Sequence, residues 1–128
     1  AGFSPLTVAR DAEEAIVQMQ ANPPDLILLD WGLPGMSGID LTEMIRAAAL
    51  KPDPRFSNPE VPIVMLTARQ RARDVTHARN AGVNEFVVKP FSTASLLKAI
   101  SWALVKKRRF VATEAFAGPD RRRRTATT

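Results

Sequence analysis

Three polar residues, Asp30, Thr67 and Lys89, each directly follow a short run of mainly apolar residues. A carboxylate can attack phosphorus to form an acyl phosphate. The charge that develops in such a reaction needs a cation and a hydrogen-bond donor held close by. Asp30 is the candidate nucleophile, Lys89 the candidate cation and Thr67 the candidate donor. The apolar runs that precede them are 26–29, 63–66 and 85–88.

Short apolar runs of this kind are typical of strands buried on both faces of a parallel sheet. Between them lie helical patterns, three of which begin at the capping residues Asp11, Ser37 and Ser92, while a fourth, rich in arginine, covers 70–81. Alternating strands and helices predict an α/β fold with a parallel sheet. Since ligands bind at the carboxyl ends of such strands, we expect the three polar residues at one edge.

The segment LILLDWGLPGMSGIDL around Asp30 resembles the phospho-acceptor segment of bacterial response-regulator receiver domains. Pro62–Ala68 resembles that family's fourth strand, which ends in a switch threonine. Phe86–Phe91 resembles its fifth strand, which ends in a Lys-Pro pair. The three segments stand in the family's order and spacing over residues 6–104. The resemblance implies a doubly wound, flavodoxin-like receiver fold in a single-domain, CheY-like regulator of a two-component system.

The resemblance also implies roles for individual residues. Asp30 would accept phosphate, Lys89 would pair with Asp30 or its phosphate, and Thr67 would move to bond a phosphoryl oxygen. Phe86 occupies the place of the family's rotating aromatic switch, and the Lys89–Pro90 bond is expected to be cis. The implied partners are a histidine kinase or phosphotransfer protein and a downstream protein target. Enzymatic activity would be limited, at most, to slow self-dephosphorylation.

The family also implies Mg²⁺, a hard ion that prefers oxygen ligands. Asp30 and the backbone carbonyl of Gly32 would supply two ligands. The remaining ligands are an acidic pair which, with the family's first strand and helix, should precede Ala1 and does not appear. Asp25 cannot replace that pair, since it lies ~16 Å away at the other end of the strand. On this resemblance we expect residues 1–104 to form an N-terminally incomplete receiver domain, and a pseudo-receiver that never takes phosphate stays the alternative.

Residues 105–128 form a basic C-terminal extension. They hold eight basic and two acidic residues, a net charge of +6, whereas the rest of the chain carries −1. Phe110 and Phe116 could anchor this arm on the body or on a second copy, and a homodimer could also form through exposed strand edges. A solvated tail is the alternative. One cluster, Arg121–Arg124, without interleaved aromatic residues disfavours nucleic acid.

Several classes of protein are excluded by what the sequence lacks. The absence of cysteine excludes a disulfide framework. No apolar run approaches the ~20 residues of a membrane span, and no signal peptide is visible, so we expect a cytoplasmic protein. A haloacid-dehalogenase-type phosphatase needs a second aspartate two residues after the first, where this chain has Gly32.

Six predictions concern packing. The first helix should bury Ala12, Ala15, Ile16 and Met19, and the last should bury Leu96, Leu97, Ile100, Ala103 and Leu104. The proline-rich segment 51–59 should be a surface loop. His77 should be solvated on a polar helix. Trp31 could either cover the site or fill its rim, and Trp102 lies off the predicted core face.

Overall fold

A computed structural model of the chain describes residues 9–69 and 71–105, together with the backbone of 110–112 and 117–119. Helices and strands alternate through the described part until two short strands end it. The elements are α1 (Ala12–Ala21), β1 (Ile27–Asp30), α2 (Gly38–Ala47), β2 (Ile63–Thr67), α3 (Ala72–Ala81), β3 (Glu85–Val88), α4 (Thr93–Val105), β4 (Phe110–Ala112) and β5 (Ala117–Pro119).

The sheet that carries the predicted site has three parallel strands in the order β1-β2-β3. In its register Asp30 pairs with Leu66, and Thr67 pairs with Val88. The α/β fold class predicted from the sequence is therefore confirmed. The β-prone run Leu-Thr-Val-Ala at residues 6–9 predicts a further strand, but it lies almost wholly outside the described residues.

One face of the sheet is covered by α1, α2 and α3. Alternate strand residues point to this side, where they form the larger hydrophobic core with apolar side chains of the three helices. The predicted apolar face of α1 is confirmed: Ala12 is buried, and Ala15, Ile16 and Met19 pack against the core. The strand residues of this core are Ile27, Leu29, Ile63, Met65 and Phe86.

The opposite face is covered, among the described elements, by α4 alone. Ala99 and Ala103 of this helix are buried against Val64 and Val87 in a smaller core. The predicted core face of α4 was therefore partly wrong, because Leu97 is 57% exposed. Sequence periodicity marks which positions of a helix are apolar, but a neighbouring element must cover them before they become core.

The loop between α2 and β2 was predicted to lie on the surface because of its prolines, but it also contributes a side chain to the core. It contains no helix or strand, as predicted, but Phe56 is buried in the larger core. The Arg55 guanidinium lies over the Phe56 ring, 5.2 Å from its centroid, and also bonds the Asp53 carboxylate. The loop thereby contributes to the core between α1 and α2.

A buried arginine fastens the amino end of the sheet. Arg46, in the last turn of α2, is 1% exposed and donates hydrogen bonds to four oxygens. Burial lowers the pKa of Arg46 to about 10, while the charge of Glu60 acts in the opposite direction. The guanidinium therefore stays protonated at neutral pH. The four acceptors are the carbonyl oxygens of Pro59, Val61 and Gly82 and the Oδ1 atom of Asn84, at 2.7–3.0 Å.

The C-terminal arm contains a short antiparallel pair of strands that the sequence did not predict. β4 pairs with β5, and the backbone of β5 lies beside α2. The arm thus contacts the body of the protein, as one of the two predictions for it requires. Anchoring through Phe110 and Phe116 and the role of Arg121–Arg124 fall outside what the structure describes. Among the described helices, none is sufficiently long and apolar to cross a membrane.

Candidate functional site

The carboxylate of Asp30 and the ammonium of Lys89 meet at the carboxyl edge of the sheet. Lys89 Nζ donates to Asp30 Oδ2 at 2.5 Å, and the two side chains are 40% and 43% exposed. Asp30 ends β1 and Lys89 follows β3, so the ion pair passes over the end of the middle strand. Solvent and small solutes can therefore reach the carboxylate.

The environment of Asp30 keeps its carboxyl group ionised. Partial burial raises the pKa of Asp30, but the hydrogen bond from Lys89, the hydrogen bond from the Gly32 N–H and the charge of Lys89 together outweigh this effect. The Gly32 N–H lies 2.9 Å from Asp30 Oδ1. The pKa of Asp30 thus lies below its ordinary value, and the group is a carboxylate, the form a nucleophile needs, at neutral pH.

Thr67 lies at the same edge as Asp30 and Lys89. Its carbonyl oxygen accepts a hydrogen bond from the Lys89 N–H at 2.7 Å. Its buried hydroxyl accepts one from the Arg69 N–H at 2.9 Å. The three residues predicted from the sequence therefore share one edge, and the Lys89–Pro90 bond is cis, as expected. Their roles in phosphoryl transfer stay predictions.

Gly38 brings α2 directly against the backbone of the site. Its N–H donates to the Trp31 carbonyl at 2.9 Å, and a Cβ atom here would lie 2.5 Å from the Asp30 carbonyl oxygen. Ser37 caps the helix through a reciprocal capping box with Asp40. The loop after Asp30 is thus fixed between the end of β1 and the beginning of α2.

Trp31, the residue after Asp30, does not cover the site. The side chain is 7% exposed and belongs to the larger core. Its ring packs edge-on against Phe86 of β3, with centroids 6.4 Å apart, and against His77 of α3, with centroids 5.8 Å apart. The rim-filling alternative is therefore the better description of Trp31. His77 is exposed, as predicted, and its ring also packs on Trp31.

The described residues do not form a complete metal site on their own. No group of three or more His, Cys, Asp or Glu side chains within residues 9–69 and 71–105 could hold a metal ion. Asp30 and the Gly32 carbonyl are the predicted ligands, and one carboxylate oxygen of Asp30 is bonded to Lys89. A Mg²⁺ ion here would need further oxygen ligands.

Two features of the site were not predicted. The Arg69 guanidinium lies over the Trp31 ring, 4.8 Å from its centroid, and the sequence offered only its position two residues after Thr67 as a signal. The close approach of Gly38 to Asp30 was also missed. The contact between Arg69 and Trp31 joins segments that are distant in sequence, and the approach of Gly38 to Asp30 depends on how the loop between them turns, so no local pattern of residue types could reveal either.

Comparison with known proteins gives a consistent family. A profile of the family described as "Response regulator receiver domain" matches residues 1–101. The phosphate regulon transcriptional regulatory protein PhoB of Rhizobium meliloti is 38% identical over 77% of this chain. That match spans only 40% of PhoB. The chemotaxis protein CheY of Pseudomonas aeruginosa is 38% identical over 76% of this chain and 72% of its own length.

Solved structures agree with the sequence relatives. A response regulator from Chloroflexus aurantiacus superposes with a TM-score of 0.64 at 31% identity, over 75% of this chain and 73% of its own. The receiver domain of the sensor histidine kinase PA1611 from Pseudomonas aeruginosa, solved with a magnesium ion in its active-site cleft, gives a TM-score of 0.64 at 30% identity. That match covers 78% of this chain and 76% of the neighbour.

Proposed function

Because the chain belongs to the response regulator receiver domain family, we propose that Asp30 accepts a phosphoryl group from a histidine kinase or a phosphotransfer protein. The observation that carries this proposal is the exposed Asp30 carboxylate paired with Lys89 at the carboxyl edge of a parallel sheet. The lowered pKa of Asp30 supports it, since the attacking group must be ionised.

In the proposed reaction a carboxylate oxygen of Asp30 forms a bond to phosphorus while the bond from phosphorus to the donor breaks. The product is an acyl phosphate, and the electron pair of the broken bond leaves with the donor group. Lys89 would neutralise charge on the phosphoryl oxygens, and the Thr67 hydroxyl would donate a hydrogen bond to one of them. Both groups are already at this edge of the sheet.

The proposal includes Mg²⁺ as the cofactor, by analogy with the family and with the neighbour solved with that ion. Asp30 and the Gly32 carbonyl would contribute ligands, and the others would come from outside the described residues.

The proposal also covers the domain organisation: the receiver domain comprises residues 1–104, and residues 105–128 form the basic extension. We place the protein in the cytoplasm, with a downstream protein target reached through a surface that Thr67 and Phe86 switch. A homodimer through strand edges or the arm remains part of the proposal.

A second candidate function is a pseudo-receiver that acts by protein binding alone and is never phosphorylated. It is favoured by one observation: no metal-binding cluster of side chains is present in the described part of the chain. The two candidates differ in a single measurable property, the covalent labelling of Asp30.

Incubation of the protein, expressed from its full gene, with Mg²⁺ and radiolabelled acetyl phosphate tests the proposal. We expect a base-labile label that Asp30→Asn abolishes, because the amide cannot act as the nucleophile. Asp25→Asn is the matched control, since Asp25 is exposed just before the same strand, and it should label like the parent. A label that persists in Asp30→Asn refutes the assignment of Asp30. No label in the parent protein supports the pseudo-receiver.

A further inference from the structure

The ring of Trp31 joins the segment after β1 to the segment after β2. Arg69 places its guanidinium over this ring, 4.8 Å from the centroid, a geometry in which a cation is attracted to the face of an indole. The ring itself is buried against His77 and Phe86. The Trp31 ring is therefore a fixed surface, and Arg69, which is exposed, is the partner that can leave it.

Arg69 also holds Thr67 through its backbone. The Arg69 N–H donates to Thr67 Oγ1 at 2.9 Å. Arg69 thus makes two contacts, one through its guanidinium and one through its backbone N–H. The stack on Trp31 restrains the position of the N–H, and the N–H in turn restrains the Thr67 hydroxyl oxygen. The turn 67–69 is thus fastened to the loop that follows Asp30.

We propose that Arg69 is a positioning residue for Thr67, and that its stack on Trp31 keeps the Thr67 hydroxyl bound to the Arg69 N–H until phosphate forms on Asp30. The inference rests on the proposed function, since Thr67 must move to bond a phosphoryl oxygen. The stack and the bond from the Arg69 N–H stabilise the unphosphorylated arrangement. A phosphoryl group on Asp30 gains its hydrogen bond from Thr67 only when the turn is released, so phosphorylation shifts the balance towards the released turn. The release of the turn then allows Thr67 to move.

The size of the effect follows from the contact. A cation–π contact made by an exposed cation favours the stacked over the unstacked arrangement by a factor of about two to five. Loss of the stack should therefore shift the balance between the held and the released turn by about that factor.

Amide hydrogen exchange tests the hold directly and needs no phosphate. In Arg69→Gln we expect the protection factor of the amide at position 69 to fall about two- to fivefold, and Arg69→Lys to restore part of it. Acrylamide should quench Trp31 more strongly in Arg69→Gln, measured with Trp102→Phe as background. Arg73→Gln is the matched control, because Arg73 is exposed on α3, and it should change neither property. Equal protection in the Arg69→Gln and Arg73→Gln variants would overturn the proposal.

Binding of beryllofluoride with Mg²⁺ tests the link to phosphorylation. We expect the apparent Kd to fall about two- to fivefold in Arg69→Gln, because the unphosphorylated arrangement has lost a stabilising contact. In a Trp31→Leu background, Arg69→Gln should have no further effect. Weaker binding in Arg69→Gln would show that Arg69 acts on the anion directly and would also overturn the proposal. If beryllofluoride binds to no variant, parent included, the proposed function fails, while the exchange result still decides the role of Arg69.

Discussion

Both ends of the parallel sheet carry a cation that bonds oxygen atoms from another part of the chain, but the two cations are bound very differently. At the amino end, Arg46 is 1% exposed and donates to four neutral oxygens of the backbone and of Asn84. At the carboxyl end, Lys89 is 40% exposed and donates to one carboxylate, that of Asp30.

The comparison shows that the two ends serve different purposes. Removing a buried donor leaves its acceptors without partners in a place that water cannot reach, so Arg46 fastens the fold. An exposed ion pair contributes little to stability, because water competes for both groups. The contact between Lys89 and Asp30 can therefore change when Asp30 changes, and chemistry is possible at this end without loss of the fold.

The largest expected effect comes from Arg46→Met, which fits the same space but donates no hydrogen bond. Four oxygens lose their partner, and each buried unsatisfied group costs about 1–3 kcal/mol. Because some acceptors can relax towards water, we expect the free energy of unfolding to fall by about 3–5 kcal/mol in total. Urea denaturation followed by circular dichroism measures it.

The matched control for Arg46→Met is Arg73→Met on the exposed surface of α3. This variant should change the free energy of unfolding by less than about 0.5 kcal/mol. If Arg46→Met lowered the free energy of unfolding no more than its control, Arg46 would not stabilise the amino end of the sheet. The proposed difference between Arg46 and Lys89 would then be contradicted.

A smaller effect is expected from Gly38→Ala, which tests how the carboxyl end is held in place. The new methyl group would lie 2.5 Å from the Asp30 carbonyl oxygen, and such overpacking costs about 1–3 kcal/mol. The variant should also label more slowly at Asp30, since α2 must move away from the loop. Thermal unfolding and the labelling assay measure the two effects.

Gly35→Ala separates the close approach at Gly38 from a general intolerance of the loop. Gly35 has a φ of 74° but no atom near its would-be Cβ, so alanine there causes backbone strain of about 1 kcal/mol and no clash. A normal labelling rate in both variants would mean that the approach of Gly38 does not position Asp30.

The smallest effect on stability is expected from Lys89→Ala. The pair is exposed, so the free energy of unfolding should fall by less than about 1 kcal/mol, whereas phosphorylation and signalling should be severely impaired. The pKa of Asp30 should rise, because Lys89 supplies the bond and charge that lower it. Carboxyl chemical shifts of Asp30, followed by NMR against pH, measure this change.

The pH dependence of stability has a definite sign. A carboxyl group whose pKa is lowered by folding contributes stability above its unfolded pKa, about 4, and this contribution is lost as the pH falls through the folded pKa. The difference in stability between the parent and Lys89→Ala should therefore be present at pH 6 and shrink below pH 4. A difference that persisted in acid, or a variant that signalled like the parent, would contradict the role of Lys89.

The sequence alone was sufficient for the alternation of strands and helices and for the edge shared by Asp30, Thr67 and Lys89. Strand ends are marked locally by the change from apolar residues to Gly, Pro or charged residues. In a parallel sheet, strand ends of one kind meet at one edge. These two facts placed Lys89 and Asp30 at the same edge, and the resemblance to receiver domains implied that they pair.

The sequence could not predict which of these side chains are buried. Arg46 and Arg73 are both arginines on helices, yet the first is buried because the 51–62 loop and the turn at Gly82 close over it. Leu97 fits an apolar helix face but is 57% exposed, because no described element covers it. Trp31 was equally suited to cover the site or to fill its rim, and only packing against α3 and β3 buries its ring in the larger core.

The order of the residues therefore determined which chemical groups this protein brings to one edge, because strand ends and turns are encoded within a few neighbouring residues. Tertiary structure alone decided which cation is fixed and which is exchangeable. That distinction depends on exposure to water, which weakens the bond between Lys89 and Asp30 and protects those of Arg46. Exposure is a property of the packed elements together and is encoded in no single segment.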